Sequence, residues 1–355
     1  MKREETKIIH VGPVAVGGDA PVSVQSMLTA KTSDPEACLA QLAALEAAGC
    51  DIVRLAVPDE AAAKALPEIR RGTKLPLVAD IHFDYKLALA AADAGFDAIR
   101  INPGNIGSED KVRAVADACR ANGVPIRVGV NSGSIPKDLL ALYGATPEAL
   151  VRSALRHVHI LEDLNFDDIC VSLKSSSVPY TVEAYRRMAA AVSYPLHLGV
   201  TEAGTPYTGI IKSAAGIGAL LLDGIGSTIR VSLTADPVEE VRAGIALLKA
   251  VGLRKQGVDL VACPTCGRTS IDLIALASEV ETRLASVKKP LTVAVMGCVV
   301  NGPGEACEAD YGVAGGCGEG IVFKKGEIVQ KVPEASLADA LCDLIAKEEG
   351  AEFSK

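Results

Sequence analysis

Leu77-Val-Ala-Asp-Ile-His82, Ala98-Ile-Arg-Ile-Asn102 and Pro125-Ile-Arg-Val-Gly-Val130 are the stretches whose reading decides the fold. Each is a short run of β-type residues, and each precedes a segment long enough for a helix. Ser23–Met27 and Ile52–Val57 precede these runs, and Asp168–Lys174, Pro195–Thr201 and Thr228–Leu233 follow them, which makes eight. Helix punctuation falls between. Asp34-Pro35 opens the first helix and Gly49 closes it, Thr146-Pro147 opens another, and Asp236-Pro237 opens the last, with Gly252 beyond its end. Eight strand–helix units over about 230 residues predict an α/β fold closed as a (β/α)8 TIM barrel. A doubly wound sheet would place a Gly-x-Gly-x-x-Gly turn after a strand, and none is present. Residues 10–22, rich in Gly and Val, are expected to form a hairpin that plugs the barrel bottom.

After Gly252 the pattern changes, so residues 1–252 read as the barrel domain, 253–257 as a short linker and 258–355 as a smaller α+β domain. Strands are expected at Val258–Ala262, Leu291–Met296 and Gly320–Val332, the last a hairpin turning at Lys325-Gly326. Helices are expected at Ser270–Ser286 and Ala335–Glu348.

Hydrophobic residues make up 49% and charged residues 23%, yet no apolar run approaches the roughly 18 residues of a membrane span. The charged start lacks an apolar stretch behind it, so no signal peptide is expected and the protein reads as cytoplasmic. The net charge of −8 argues against a general nucleic-acid surface. In that compartment ten cysteines are not five disulfides. Cys38, Cys50, Cys119, Cys170 and Cys342 lie in apolar segments and read as core residues, whereas the other five crowd between Cys263 and Cys317.

Barrel strands alternate inward and outward. Asp80/His82, Arg100/Asn102, Arg127/Asn131, Ser172/Lys174 and Arg230/Ser232 are polar residues at matching parity, with apolar residues between them. Arg54 follows the same logic. The barrel mouth is therefore predicted to hold Arg54, Arg100, Arg127, Lys174 and Arg230 against Asp80 and Glu202. Polar barrel layers of paired Arg and Glu would need matching acids, and the strands do not supply them. At an effective dielectric of about 20, two charges 4 Å apart interact by roughly 4 kcal/mol, so five crowded cations call for an anion. Barrel sites sit at the C-terminal strand ends and Arg forks suit phosphate oxygens, which points to a phosphorylated ligand. His82 and His197 fit a wall role as well as a catalytic one. Glu202, in Gly199-Val-Thr-Glu-Ala-Gly204, is placed for acid–base work or for orienting an Arg.

Cys263-Pro-Thr-Cys266 puts two thiols on one turn after a strand, and Cys298 ends another strand. A redox dithiol would need a thioredoxin-like setting, and a structural zinc would show a second close pair. An iron–sulfur cluster accepts thiolates from two loops. Either Cys307 or Glu305 could complete the set, the latter leaving a more exchangeable iron.

Val24-Gln-Ser-Met27, Ala79-Asp-Ile-His82, Arg100-Ile-Asn-Pro-Gly-Asn105, Arg127-Val-Gly-Val-Asn131, Gly199–Gly204, Gly224–Ser232, Cys263–Cys266 and Met296–Ala306 resemble the 4-hydroxy-3-methylbut-2-enyl diphosphate synthase family. The resemblance covers nearly the whole chain in the short two-domain form. It implies reductive ring opening of 2-C-methyl-D-erythritol 2,4-cyclodiphosphate, with loss of water, in isoprenoid biosynthesis. It also implies a [4Fe–4S] cluster on Cys263, Cys266, Cys298 and Glu305, with electrons from reduced flavodoxin or ferredoxin. Arg54, Arg100, Arg127, Asn131, Lys174, Arg230 and Ser232 would bind the diphosphate, joined by Asp80, His82 and Asn102, with Glu202 as the acid–base residue. Leu28-Thr-Ala30-Lys31 departs from the family's usual Thr-Asn-Thr run, leaving Lys31 either at phosphate or in solvent.

Chain direction adds one expectation. The last barrel helix runs back to the bottom, and a link of six residues spans at most about 20 Å. The second domain should therefore serve the barrel mouth of a partner, in a head-to-tail homodimer, as the resemblance also implies.

Overall fold

Two short strands, β1 (Ile9–Val11) and β2 (Val14–Val16), begin the fold as an antiparallel hairpin. Ile9, Val11 and Val16 pack on Ile52, Val78, Ala98 and Cys170, near the N-terminal ends of the barrel strands, so the hairpin is the bottom plug expected from sequence. In this computed structural model, which describes residues 1–298 and 306–350, the chain forms two compact units, Met1–Arg254 and Lys255–Lys355.

The first unit is the predicted barrel. Its strands are β3 (Ser23–Met27), β4 (Ile52–Ala56), β5 (Leu77–Asp80), β6 (Ala98–Ile101), β7 (Ile126–Asn131), β8 (Ile169–Lys174), β9 (His197–Leu198) and β10 (Thr228–Ile229). Neighbours pair in parallel around the ring, and a bridge between Val171 and Leu196 joins β8 to β9. The local chemistry matches the punctuation. Asp34 accepts the Ala37 N–H at 3.1 Å, and Asp236 accepts that of Val238 at 2.8 Å, each just ahead of a helix-opening Pro. Ile81, Ile101, Val128, Val130, Leu173 and Val231 are buried against the helices. No helix among the described residues is long and apolar enough to cross a membrane.

Several boundaries differ from expectation. His82 and Asn102 lie beyond their strands, β7 runs one residue further, to Asn131, and the last two strands shrink to two residues each. Pro195 cannot donate to a ladder and Gly226 takes a positive φ of 103°, so regular pairing starts late there.

The second unit holds one mixed sheet, ordered β11 (Val258–Ala262), β12 (Leu291–Met296), β13 (Tyr311–Gly315), β14 (Glu319–Lys324) and β15 (Glu327–Pro333). Helices Leu273–Leu284 and Leu337–Glu349 cover one face. β13 was not expected. Its Gly312 and Gly315 weaken a strand signal, yet the small residues are needed, since a Cβ on Gly312 would lie 2.3 Å from the Phe323 ring.

Candidate active site

The strand periodicity brings the five cations together at one end of the barrel. Arg54, Arg100, Arg127 and Lys174 are all at least nine-tenths buried. Arg100 donates to Asp80 at 2.9 Å and to the Gly129 carbonyl at 3.2 Å, while Arg54 lies 3.7 Å from Asp80. His82 approaches the same carboxylate at 3.7 Å with its own ring half exposed. Burial alone would raise the Asp80 carboxyl, but Arg54, the nearby His82 ring and Arg100 hold it far below the usual carboxylate range.

Two glycines make this crowding possible. A Cβ on Gly129 would fall 2.3 Å from Arg100 Nε, and one on Gly199 would press on Lys174 Nζ at 3.2 Å. Only a bare backbone on β7 and beyond β9 lets these side chains cross the barrel.

Counter-charge is scarce. Arg127 donates to Gln25 at 2.6 Å, but its Nε and Nη2 find no partner among the described residues. Lys174 has no carboxylate within ion-pair distance among the described residues. Burial lowers its ammonium well below the usual lysine value, and Arg54, Arg230, Arg127 and Arg100 push the same way. His197 is fully enclosed beneath them and stays neutral, lowered first by burial and then by Arg127 and Lys174. Arg54 and Arg230 both direct N–H groups at the Met27 sulfur.

Glu202 does not pair with these cations. It is exposed, just past β9, and holds φ at 51°, a left-handed corner that a long side chain rarely adopts. The acid that pairs with Arg230 is Glu240, which the sequence reading missed. It is 3% exposed and sits 3.0 Å from Arg230. Its signal was present: Glu240 shares the i, i+4, i+8 stripe of buried Gly244 and Leu248. Gln25 and Met27 were likewise missed as partners inside the barrel. Asn102 is buried beside Arg100, whereas Asn131 and Ser232 are half-buried at the strand ends. Lys31 is exposed.

In the second unit, β11 and β12 run parallel with Ala262 opposite Val295, so Cys263 and Cys298 follow neighbouring strand ends. The Gly297 N–H donates to Cys263 Sγ at 3.3 Å, and Cys266 is exposed on the same turn as Cys263. A backbone hydrogen bond from Arg268 lowers the Cys266 thiol. Cys307 belongs to the other edge of the sheet. It packs beside Gly326, in the hairpin turn that follows Lys324, and Lys324 pairs with the first residue of β13. Among the described residues no three His, Cys, Asp or Glu side chains already converge as a metal site, and Glu305 lies outside the described residues. The five cysteines expected in the core are indeed buried, and burial pushes Cys119 up to about 12.

A closed parallel barrel with its polar residues at the C-terminal strand ends places the first unit among the TIM-barrel proteins. It is similar to dihydropteroate synthase from Coxiella burnetii, with a TM-score of 0.50 and 10% identity over 70% of this chain and 99% of that one. It is equally similar to a truncated 3-deoxy-D-arabino-heptulosonate 7-phosphate synthase from Thermotoga maritima, with a TM-score of 0.50 and 13% identity over 70% and 94%. At such identities only the fold is shared. The family is more specific: the GcpE TIM-barrel domain matches residues 6–245 and the GcpE protein C-terminal domain matches 259–347, and the chain belongs to the GcpE family. A relative from Geobacter sulfurreducens is 60% identical over 97% of this chain and 98% of its own length. One from Clostridium perfringens is 59% identical over 97% and 99%. Both are named 4-hydroxy-3-methylbut-2-en-1-yl diphosphate synthase (flavodoxin).

Proposed function

We propose that this chain is an oxidoreductase that opens the ring of 2-C-methyl-D-erythritol 2,4-cyclodiphosphate and removes water to give (E)-4-hydroxy-3-methylbut-2-enyl diphosphate. This is the product that its relatives' names describe. The observation that carries the reading is the charge imbalance at the mouth. Among the described residues, Arg54, Arg100, Arg127, Lys174 and Arg230 face only Asp80 and Glu240, which leaves three positive charges for a ligand to answer. Arg54, Arg100, Arg127, Lys174 and Arg230, with Asn131 and Ser232, bind the diphosphate. Asp80, His82 and Asn102 fix the cations and the ring above them. Glu202 stands at the rim, where its carboxyl can hand a proton to the departing hydroxyl.

The donor set of the second unit fits an iron–sulfur cluster. Cys263, Cys266 and Cys298 come from two loops at adjacent strand ends, and a backbone N–H already points at one sulfur. The family implies Glu305, in place of Cys307, as the fourth ligand. A [4Fe–4S] cluster there supplies the two electrons singly, from reduced flavodoxin, the donor in the relatives' names, or from ferredoxin. Anaerobically purified protein with dithionite-reduced viologen should turn over the cyclodiphosphate. Protein with full iron content and no turnover overturns the reading.

The site is completed by a second copy. The barrel unit ends at Arg254, whose guanidinium pairs at 3.0 Å with Asp51, beneath β4 and beside the bottom hairpin. The chain thus leaves from the face opposite the cations. Phe83, Leu142 and Tyr207, all more than 70% exposed, rim the mouth and offer apolar surface to a partner's cluster unit. Mixing Glu202→Gln chains with Cys263→Ala chains should restore one working site per mixed dimer, about a quarter of parental activity given random exchange. No recovery from exchanged subunits would leave each chain to serve its own mouth.

A further inference from the structure

We propose that Glu240 is a positioning residue for diphosphate binding, its buried carboxylate holding the fork of Arg230 across a gap in the barrel wall. The inference rests on the reading that Arg230 binds the diphosphate. β3 and β10 pair at only two positions, Ser23 with Thr228 and Val24 with Ile229. Above them β3 continues to Met27 while the other wall leaves the ladder. Glu240 enters this opening from the helix Pro237–Ala250. One carboxylate oxygen accepts from Ser26 Oγ at 2.8 Å and from Arg230 Nε at 3.2 Å. The other accepts from Arg230 Nη2 at 3.0 Å and from the Leu233 N–H at 3.0 Å. Each oxygen thus has two donors, so Glu240 has no acceptor left for a ligand or its water. The carboxylate joins the first barrel strand, through Ser26, to the segment after β10 that carries Arg230, Ser232 and Leu233.

Arg100 and Arg54 share Asp80, whereas among the described residues Arg127 keeps two unpartnered nitrogens and Lys174 has no carboxylate within reach, so the mouth keeps a net positive charge. Setting a full counter-charge against Arg230 lowers the field at the mouth. What it gains is a fixed bidentate geometry, with the remaining Nη1 left beside Met27, 3.7 Å from the sulfur. A pure field effect and a positioning effect therefore have opposite signs when the charge is removed.

The test uses the full chain titrated calorimetrically with inorganic pyrophosphate, together with kcat and KM for the cyclodiphosphate. Glu240→Gln should weaken pyrophosphate about 10-fold and raise KM more than it lowers kcat, despite the added positive charge. Arg230→Gln should weaken it at least as much, and adding Glu240→Gln to that background should change binding by less than about twofold. Ser26→Ala keeps the charge but removes one bond from the carboxylate, and should weaken binding by about two- to fivefold. It carries the test if Glu240→Gln fails to fold, and unchanged binding by Ser26→Ala would then overturn the proposal. Unchanged or tighter binding by a folded Glu240→Gln protein overturns it too, as do losses that add fully in the double variant. Normal binding by Arg230→Gln would remove Arg230 from the diphosphate site, and this inference with it.

Discussion

Cys263→Ser protein is expected to retain no cluster iron and to lose turnover by more than about 10³-fold, beyond the 10- to 100-fold typical of changes to a metal's outer partners. Serine keeps the shape but replaces a soft, readily ionised thiol with a hydroxyl that iron–sulfur chemistry does not hold at neutral pH. The barrel should be untouched, because each unit has its own core, one built around the barrel strands and the other around β12 and β13. Pyrophosphate binding by calorimetry should therefore match the parent while iron content and visible absorption fall. Cys307→Ala should keep its iron and its electron paramagnetic resonance signal, whereas Glu305→Ala should alter that signal. A Cys263→Ser protein with full iron would remove Cys263 from the ligand set, and a disturbed spectrum in Cys307→Ala alone would exchange Cys307 for Glu305.

The barrel was legible because its strands carry a strict two-residue alternation between helix-opening signals. That alternation gave Arg100 and Arg127 their inward parity and Ile101 and Val128 their outward one. The cysteine turn was legible because spacing and strand ends coincide at Cys263 and Cys266. Three features were not. β13 hides in Tyr311-Gly-Val-Ala-Gly315, where close packing of Phe323 demands glycine and so erases the usual strand composition. Glu240 hides on a helix, since a strand-by-strand count of charges ignores side chains that reach in from outside the barrel. Glu202 was read as lying among the cations, but a left-handed turn at its own residue carries it outward to the rim. Periodicity reports which face a residue occupies, and these features depend instead on what meets that face from elsewhere in the fold.

Lys174→Met should cost about 10²- to 10³-fold in kcat/KM while making the ligand-free protein more stable. The first effect follows from truncating one partner of a buried charge contact, about 2–5 kcal/mol when the ligand is anionic. The second follows from the site itself. Without a ligand, Lys174 is enclosed, has no carboxylate partner among the described residues and lies among Arg54, Arg230, Arg127 and Arg100, so its ammonium is driven well below 10.5. The unfolded chain binds that proton more tightly than the folded one, so folding is opposed most strongly at pH below the folded value. The penalty fades as pH rises from there towards 10.5, and methionine, similar in length and uncharged, removes it at every pH. Melting temperature should rise by about 2–4 °C for each kcal/mol of repulsion relieved. Pyrophosphate should act in the opposite sense, favouring the charged amine, so its binding at pH above the folded value takes up as much as about one proton. Calorimetry in buffers of different ionisation heat reads that uptake directly, and Lys174→Met should abolish it. A variant that melts below the parent, binds pyrophosphate normally and shows the same proton uptake would make Lys174 a wall residue, and the excess charge at the mouth would then rest on the arginines alone.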